Sequence, residues 1–192
     1  MDRLVIWAAT AWPGLEHLEI RERPDGIDFD GLVVAHVDGE ALRLAYRLRC
    51  DADWTARRLE VARHGVSPDL VFESDGKGHW TDGAGTELPE LAGCIDVDIA
   101  VTPLTNTLPI RRLSWQPGQA RDLLMVYVAV PEMTYQLARQ RYTWLESGPS
   151  GAVFRYESGA FRRDLWIDPD GLVIDYPGFW RRVEPNGRDS RG

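Results

Sequence analysis

The sequence predicts a mainly β protein, built as one large antiparallel sheet that is curled into a roll or a barrel around one short helix. Three observations predict this class: short segments alternate apolar and polar residues, tight-turn sequences join these segments, and helix signals occur in only one place. The chain has 192 residues, of which 44% are hydrophobic, enough for one domain with a sizeable core. We expect this domain to span residues 1–183, with a flexible polar tail over 184–192.

The alternation is clearest in two segments. Leu42–Arg49 places four apolar side chains on one face and arginines on the other, as in a half-buried strand. Ile95–Val101 alternates in the same way and sets Asp96 and Asp98 side by side on one face. Leu123–Val130 is apolar on both faces, so it needs cover from the core on one side and from a second layer or a subunit interface on the other. A homodimer is therefore one expectation.

Turn sequences predict how the strands pair. Asp38-Gly39 favours a two-residue hairpin, and Asp168–Gly171 combines proline and glycine at the positions of a tight turn. Strands joined in this way must be antiparallel. Two similar halves are also predicted, because Leu70–Gly76 resembles Val153–Gly159 and each is followed by a segment that carries a tryptophan. The other predicted strands are Val33–Val37, Arg57–Arg63, Asp164–Ile167 and Leu172–Tyr176.

The helix candidate lies in Thr102–Leu113. Thr102 can cap the first free N–H groups, proline follows at the first helical position, and two leucines four apart share a face. Pro109 should prevent a regular continuation, so we expect a helix over roughly 103–108. An extended buried segment is the alternative. The segment either plugs the core or contributes to a site.

Composition argues against several partners. The chain carries 30 acidic and 22 basic residues, a net charge of −8, whereas nucleic acids and anionic membranes need clustered basic surface. No apolar stretch approaches the ~18 residues of a membrane-spanning helix, so no membrane insertion is expected. The first residues lack the basic region of a signal peptide, and we expect a cytoplasmic location.

Motifs for common chemistries are missing from the sequence. The four histidines are not paired at metal-ligand spacing, and no nucleophile elbow, phosphate-binding loop or dinucleotide fingerprint occurs. We therefore expect no cofactor, no metal and no catalytic residues. Asp96 and Asp98 are the exception, because paired carboxylates can divide acid and base roles. The alternative is a solvated polar face, or ion pairs with Arg111 and Arg112.

Eight tryptophans are unusual for this length. Aromatic rings fill large β cores, and they also line pockets for apolar or sugar-bearing ligands. Trp80 and Tyr142 have polar sequence neighbours, which suits a cavity mouth as well as the rim of a barrel.

Three segments resemble a known bacterial family. DWTARRLEV (53–61), GHWTDGAGTELPELAGCIDVDIAVTPLTNTLPIRRL (78–113) and ARQRYTWL (138–145) are similar to the signatures of the putative glycolipid-binding family, formerly a domain of unknown function. The order and spacing also fit, so the resemblance covers nearly the whole chain. It implies a spiral β-roll, in which a large antiparallel sheet wraps around a single helix, and a tendency to dimerise. It supplies no catalytic residues.

The leading functional hypothesis is non-enzymatic binding of a lipid, glycolipid or other amphiphile. The apolar tail would enter between sheet and helix. The candidate ligand-binding residues are Asp96, Asp98, Asn106, Arg111, Arg112, Arg141, Trp80 and Tyr142. One alternative is a small-molecule enzyme that uses Asp96 and Asp98 with arginines. Another is a structural or interaction protein that dimerises through Leu123–Val130.

Overall fold

A computed structural model describes residues 2–37, 39–63 and 69–183. Within these ranges fourteen strands form one sheet. The first seven are β1 Asp2–Ala9, β2 Gly14–Arg23, β3 Gly26–Val37, β4 Glu40–Cys50, β5 Ala56–Arg63, β6 Leu70–Ser74 and β7 Trp80–Asp82. The others are β8 Asp96–Ile99, β9 Ala120–Ala129, β10 Thr134–Gly148, β11 Gly151–Ser158, β12 Phe161–Ile167, β13 Val173–Tyr176 and β14 Trp180–Arg182.

The strands lie in two meanders that meet at β1 and β14. The order is β7-β6-β5-β4-β3-β2-β1-β14-β13-β12-β11-β10-β9-β8. Pairing is antiparallel except between β8 and β9, where Asp98 lies opposite Tyr127 in a parallel ladder. The expectation of a mainly β, largely antiparallel sheet with one short α-helix is therefore confirmed. The similarity of the two halves to each other stays a prediction.

The sheet is not closed. Its end strands, β7 and β8, each pair with one neighbouring strand, and within the described ranges no ladder joins them. A barrel abolishes its edges by such a ladder, so the barrel alternative is wrong. Gly39, between β3 and β4, has a φ of +86°. Asp38, the other residue of the predicted hairpin turn, lies outside the described residues. The tail over 184–192 also lies outside them.

The helix belongs to the crossover between the parallel strands β8 and β9. Parallel neighbours need such a connection, because a tight turn reverses the chain direction. A 3₁₀ helix over Leu104–Asn106 leads directly into α1, Thr107–Arg112. Thr102 caps this segment as expected, since its Oγ1 accepts a hydrogen bond from the Leu104 N–H at 3.0 Å.

The predicted end of the helix is wrong. Pro109 lies in the first turn of α1, and the helix continues to Arg112. A proline is tolerated there because the N–H groups of the first turn have no partner within the helix.

One large hydrophobic core joins both meanders. Its fully buried side chains include Leu104 and Leu108 from the helical segment, Leu44 from β4 and Val128 from β9. A smaller cluster, with Ile110 and buried residues of β10–β13, lies beside it. Residues 101–110 are all buried, so the helical segment fills the core as the plug interpretation expected. Both faces of β9 are covered within the chain, because Met125, Val126 and Val128 are each fully buried.

Candidate functional site

A cavity of about 350 Å³ lies between the second meander and the segment that begins at Thr102. It is lined by residues of β8 to β14 and of the 3₁₀ helix. Thr102, Asn106, Tyr156 and Trp180 are buried and mark its deep end, whereas Gln136 is exposed at its mouth. The volume is within the range of about 300–1,000 Å³ that is typical of ligand pockets.

Asp98 is the charged side chain that lines this cavity. It points there because β8 alternates: Val97 and Ile99 enter the main core, so Asp96 and Asp98 take the opposite face. The prediction that the two aspartates share a face is confirmed.

Neutral groups bind the Asp98 carboxylate. Gln140 Nε2 donates to Oδ2 at 2.6 Å, Thr105 Oγ1 donates to Oδ1 at 3.1 Å, and the Tyr156 hydroxyl lies 3.5 Å from Oδ2. Burial raises the pKa of Asp98, and these hydrogen bonds oppose the rise. No arginine, lysine or histidine of the described ranges pairs with it.

The deep end carries a second polar group. Tyr142, which is buried behind the cavity, donates its hydroxyl to Asn106 Oδ1 at 2.9 Å, and Asn106 Nδ2 donates to the Pro103 carbonyl at 3.3 Å. Asn106 is thereby held in one orientation. Two of the predicted ligand-binding residues, Asn106 and Tyr142, thus form one hydrogen-bonded pair at the end of the cavity.

A buried glutamate lies next to the cavity. Thr102 Oγ1 donates to Glu16 Oε1 at 2.7 Å, and the Tyr46 hydroxyl donates to the same oxygen. Glu16 is fully buried, and burial raises its pKa to about 8, against the effect of both hydrogen bonds. The carboxyl group is therefore protonated at neutral pH.

Four aromatic rings of the cavity wall form a closed circuit. Tyr156 meets Phe161 at 5.9 Å between ring centroids, Phe161 meets Phe179 at 5.4 Å, Phe179 meets Tyr176 at 5.0 Å, and Tyr176 returns to Tyr156 at 6.5 Å. We call these four residues the aromatic circuit. The planes of neighbouring rings are inclined by 48° to 75°, so none of these contacts is a parallel stack.

Arg163 lies over the aromatic circuit. Its guanidinium carbon is 5.0 Å from the centroid of Phe161 and 5.7 Å from that of Phe179, within range of a cation–π interaction. The side chain is exposed and does not line the cavity.

Asp96 has a different environment from Asp98. It is fully buried, and Arg112 binds it through two hydrogen bonds of 2.9 and 2.5 Å. The expected ion pair between an aspartate of β8 and an arginine of the helix is confirmed for this pair. Since neither residue lines the cavity, this pair holds the end of α1 against β8.

Besides Asp96 and Arg112, three further predicted residues do not lie at the cavity. Trp80 is buried in the main core, where Nε1 donates to the Cys94 carbonyl at 2.8 Å. Arg111 places its guanidinium 4.8 Å from the ring centroid of Trp54. Arg141 is exposed and pairs with Asp122, because it alternates with the inward-facing Gln140 and Tyr142 on β10.

Most of the cavity wall was missed by sequence reasoning. The missed aromatic residues are Tyr127, Tyr156, Phe161, Tyr176, Phe179 and Trp180. They come from five strands and one turn, so no sequence motif connects them. One available signal was Tyr127, a polar hydroxyl within the otherwise apolar Leu123–Val130.

The other grooves differ from this cavity in their lining, and a groove of about 520 Å³ beside the turn between β10 and β11 is lined mainly by apolar and small residues. A groove of about 380 Å³ on the face of β2–β5 is lined by ion pairs such as Arg58–Glu60 and Arg47–Asp30. Within the described ranges no helix is long and apolar enough to cross a membrane. The same ranges contain no group of three His, Cys, Asp or Glu residues that could hold a metal ion.

Comparison with known proteins gives two matches. The sequence profile of the family described as Putative glycolipid-binding matches residues 4–182, which include all three motifs of the resemblance. The chain is also similar to the crystal structure of a DUF1089 family protein (PA1994) from Pseudomonas aeruginosa, with 38% identity and a TM-score of 0.75. That match covers 88% of this chain and 92% of the other. No curated protein matches the chain.

Proposed function

The chain belongs to the putative glycolipid-binding family, and from this premise we propose that its cavity binds the polar end of a small amphiphile without changing it chemically. The proposal rests on the two kinds of residue that line the cavity, which are polar at one end and aromatic elsewhere. Asp98, Thr102 and Asn106 offer polar atoms, while rings with partly exposed faces line the approach to them. Pockets of this kind bind through apolar contact and use a few polar groups for orientation.

The proposed ligand enters with its polar end first. The deepest lining residues include Thr102 and Asn106, and Phe161 and Phe179 are partly exposed. The space between the sheet and α1 is filled by Leu104 and Leu108. This orientation reverses the expectation that an apolar tail enters between sheet and helix. A volume of about 350 Å³ suits a head group and the first carbons of a chain, so the rest of the tail stays outside.

The proposal includes a sheet that rolls around the helical segment. Contacts between strands that are far apart in the strand order support it. The rings of Phe72 on β6 and Tyr135 on β10 are 5.0 Å apart, and the segment from Thr102 to Asn106 reaches both Tyr46 on β4 and Tyr142 on β10. Such a roll would shield the deep end of the cavity from water.

Binding is favoured over catalysis. The enzyme alternative needs Asp96 and Asp98 in one accessible site with an arginine. Asp96 is fully buried against Arg112, whereas Asp98 lines the cavity with neutral partners. The two carboxylates are therefore not placed to divide acid and base roles on one substrate.

Filling the cavity tests the proposal. Ala138 lines it on β10 and is partly buried, so Ala138→Phe should occupy the ligand volume. Ala62→Phe on β5 is the matched control, since Ala62 is also partly buried and does not line the cavity. Isothermal titration with decyl glucoside below its micellar concentration should show binding to the wild type and to Ala62→Phe, and at least roughly ten-fold weaker binding to Ala138→Phe. Equal affinity of all three proteins would place the ligand elsewhere and refute the proposal.

A further inference from the structure

The head group of the ligand can be specified further, if the proposed function holds. We propose that the polar end is a cationic ammonium group, held by the Asp98 carboxylate and by the faces of the surrounding aromatic rings. The shared chemistry is an alkylammonium or an amino sugar on an apolar chain.

Asp98 has no positively charged partner among the described residues. Charged groups taken out of water are normally paired, because burying a charge without a partner is energetically unfavourable. Asp96, two residues away on the same face, follows this rule through Arg112. Asp98 has only Gln140, Thr105 and Tyr156 as partners within the described ranges. A ligand cation would complete the pair.

The Asp98 carboxylate also acts electrostatically on the tyrosines of the cavity wall. Asp98 raises the pKa of Tyr127, Tyr156 and Tyr176 by repelling their anionic forms, in addition to the larger effect of burial. The Tyr156 hydroxyl lies 3.5 Å from Asp98 Oδ2, and all three tyrosines line the same cavity as Asp98. A cation among these rings would interact with the carboxylate and with the rings together.

The geometry of the aromatic circuit suits a cation, because its rings do not stack in parallel. Its rings meet at steep angles around a closed loop, so each ring turns a face that no neighbour covers by parallel stacking. Ring faces carry negative charge density, and cages of such faces bind quaternary ammonium groups. Arg163, which does not line the cavity, already makes cation–π contacts with Phe161 and Phe179.

The hydrogen-bonding capacity of the site agrees with a donor or cation. Within the cavity lining, the Asp98 carboxylate supplies two acceptor atoms. Gln140 binds this carboxylate without lining the cavity, and its Oε1 is buried with no hydrogen-bond partner among the described residues. An anionic head group would have to enter against Asp98, without a cationic side chain in the cavity lining to offset the repulsion.

Three probes with the same alkyl chain test the inference: decyltrimethylammonium, decyl glucoside and decyl sulfate, each below its micellar concentration. Isothermal titration of the full chain should give the tightest binding for the ammonium probe and the weakest for the sulfate. Asp98→Asn should weaken ammonium binding by roughly ten-fold or more, and by a larger factor than it weakens glucoside binding. Asp122→Asn is the matched control, because it removes one exposed carboxylate from β9 and leaves the same net charge as Asp98→Asn.

A second variant covers the case in which Asp98→Asn does not fold. Tyr127→Leu keeps an apolar side chain on β9 but removes a ring from the cavity wall, and it should weaken ammonium binding by roughly three-fold or more. If the glucoside or the sulfate binds as tightly as the ammonium probe, the inference is overturned and the proposed function stands. If the ammonium probe binds best but neither Asp98→Asn nor Tyr127→Leu weakens it more than Asp122→Asn does, the inference is also overturned. If no probe binds, the proposed function itself fails.

Discussion

Glu16 should make the stability of the protein depend on pH around neutrality. The alternation of β2 places it on the same face as Leu18 and Ile20, where it is fully buried. One carboxyl oxygen accepts hydrogen bonds from Tyr46 and Thr102, while the other has no partner among the described residues. Burial raises the pKa from its ordinary value of 4.5 to about 8. The folded protein therefore keeps a proton that the unfolded chain releases.

The size of the effect follows from proton linkage. Between these two pKa values the folded state binds one more proton than the unfolded state, so the free energy of unfolding falls by about 1.4 kcal/mol for each pH unit. The stability from the protonated carboxyl is fully present below about pH 4.5 and is lost as the pH rises to about 8. The whole loss is on the order of 5 kcal/mol, comparable with the net stability of many domains. Glu16→Gln, which imitates the protonated acid, should remove this dependence.

Urea unfolding followed by tryptophan fluorescence measures the prediction. The difference in unfolding free energy between Glu16→Gln and the wild type should rise by about 1.4 kcal/mol per unit from about pH 5 to about pH 8. Glu19→Gln, at a partly exposed acid on the same strand, is the control for removal of one carboxylate. A difference that stays constant over this range would refute the buried, protonated Glu16.

Two further predictions concern packing and the buried ion pair. Asp96→Asn should lower the free energy of unfolding by about 3–5 kcal/mol, because it leaves Arg112 without its partner. The double variant Asp96→Asn/Arg112→Met should recover part of that loss. Fully additive losses in urea unfolding would contradict the pairing. Gly31→Ala should destabilise the protein by about 1–3 kcal/mol, because a methyl group there overlaps the buried ring of Tyr46. Gly148→Ala is the control, with no described atom within 4 Å of the added carbon, and an equal thermal shift of both variants would disprove the overlap.

Local patterns were sufficient to predict the strands and some of their contacts. A period of two fixes which side chains share a face, which is why Asp96 and Asp98 could be placed together. The same rule places Glu16 on one face with Leu18 and Ile20, so its burial could have been predicted from the sequence. The start of the helical segment was predicted correctly because Thr102 is a local cap.

The cavity could not be predicted in this way. Its aromatic circuit joins Tyr156 and Phe161, which are close in sequence, to Tyr176 and Phe179 across the ladder from β11 to β13. That neighbourhood depends on the register of two strand pairs, β11–β12 and β12–β13, which the sequence alone does not specify. Arg141 and Tyr142 were both predicted to bind the ligand, although adjacent residues of a strand point to opposite faces.

The cavity is the proposed ligand site. Its role is tested most directly by mapping changes in backbone amide chemical shifts. A titration of labelled protein with decyltrimethylammonium, followed by heteronuclear NMR, should shift the amides near Asp98, Asn106, Tyr127, Tyr156 and Tyr176. The amides of the charged groove on β2–β5 should stay unchanged. Shifts confined to that groove, or to any surface away from Asp98, would contradict the account.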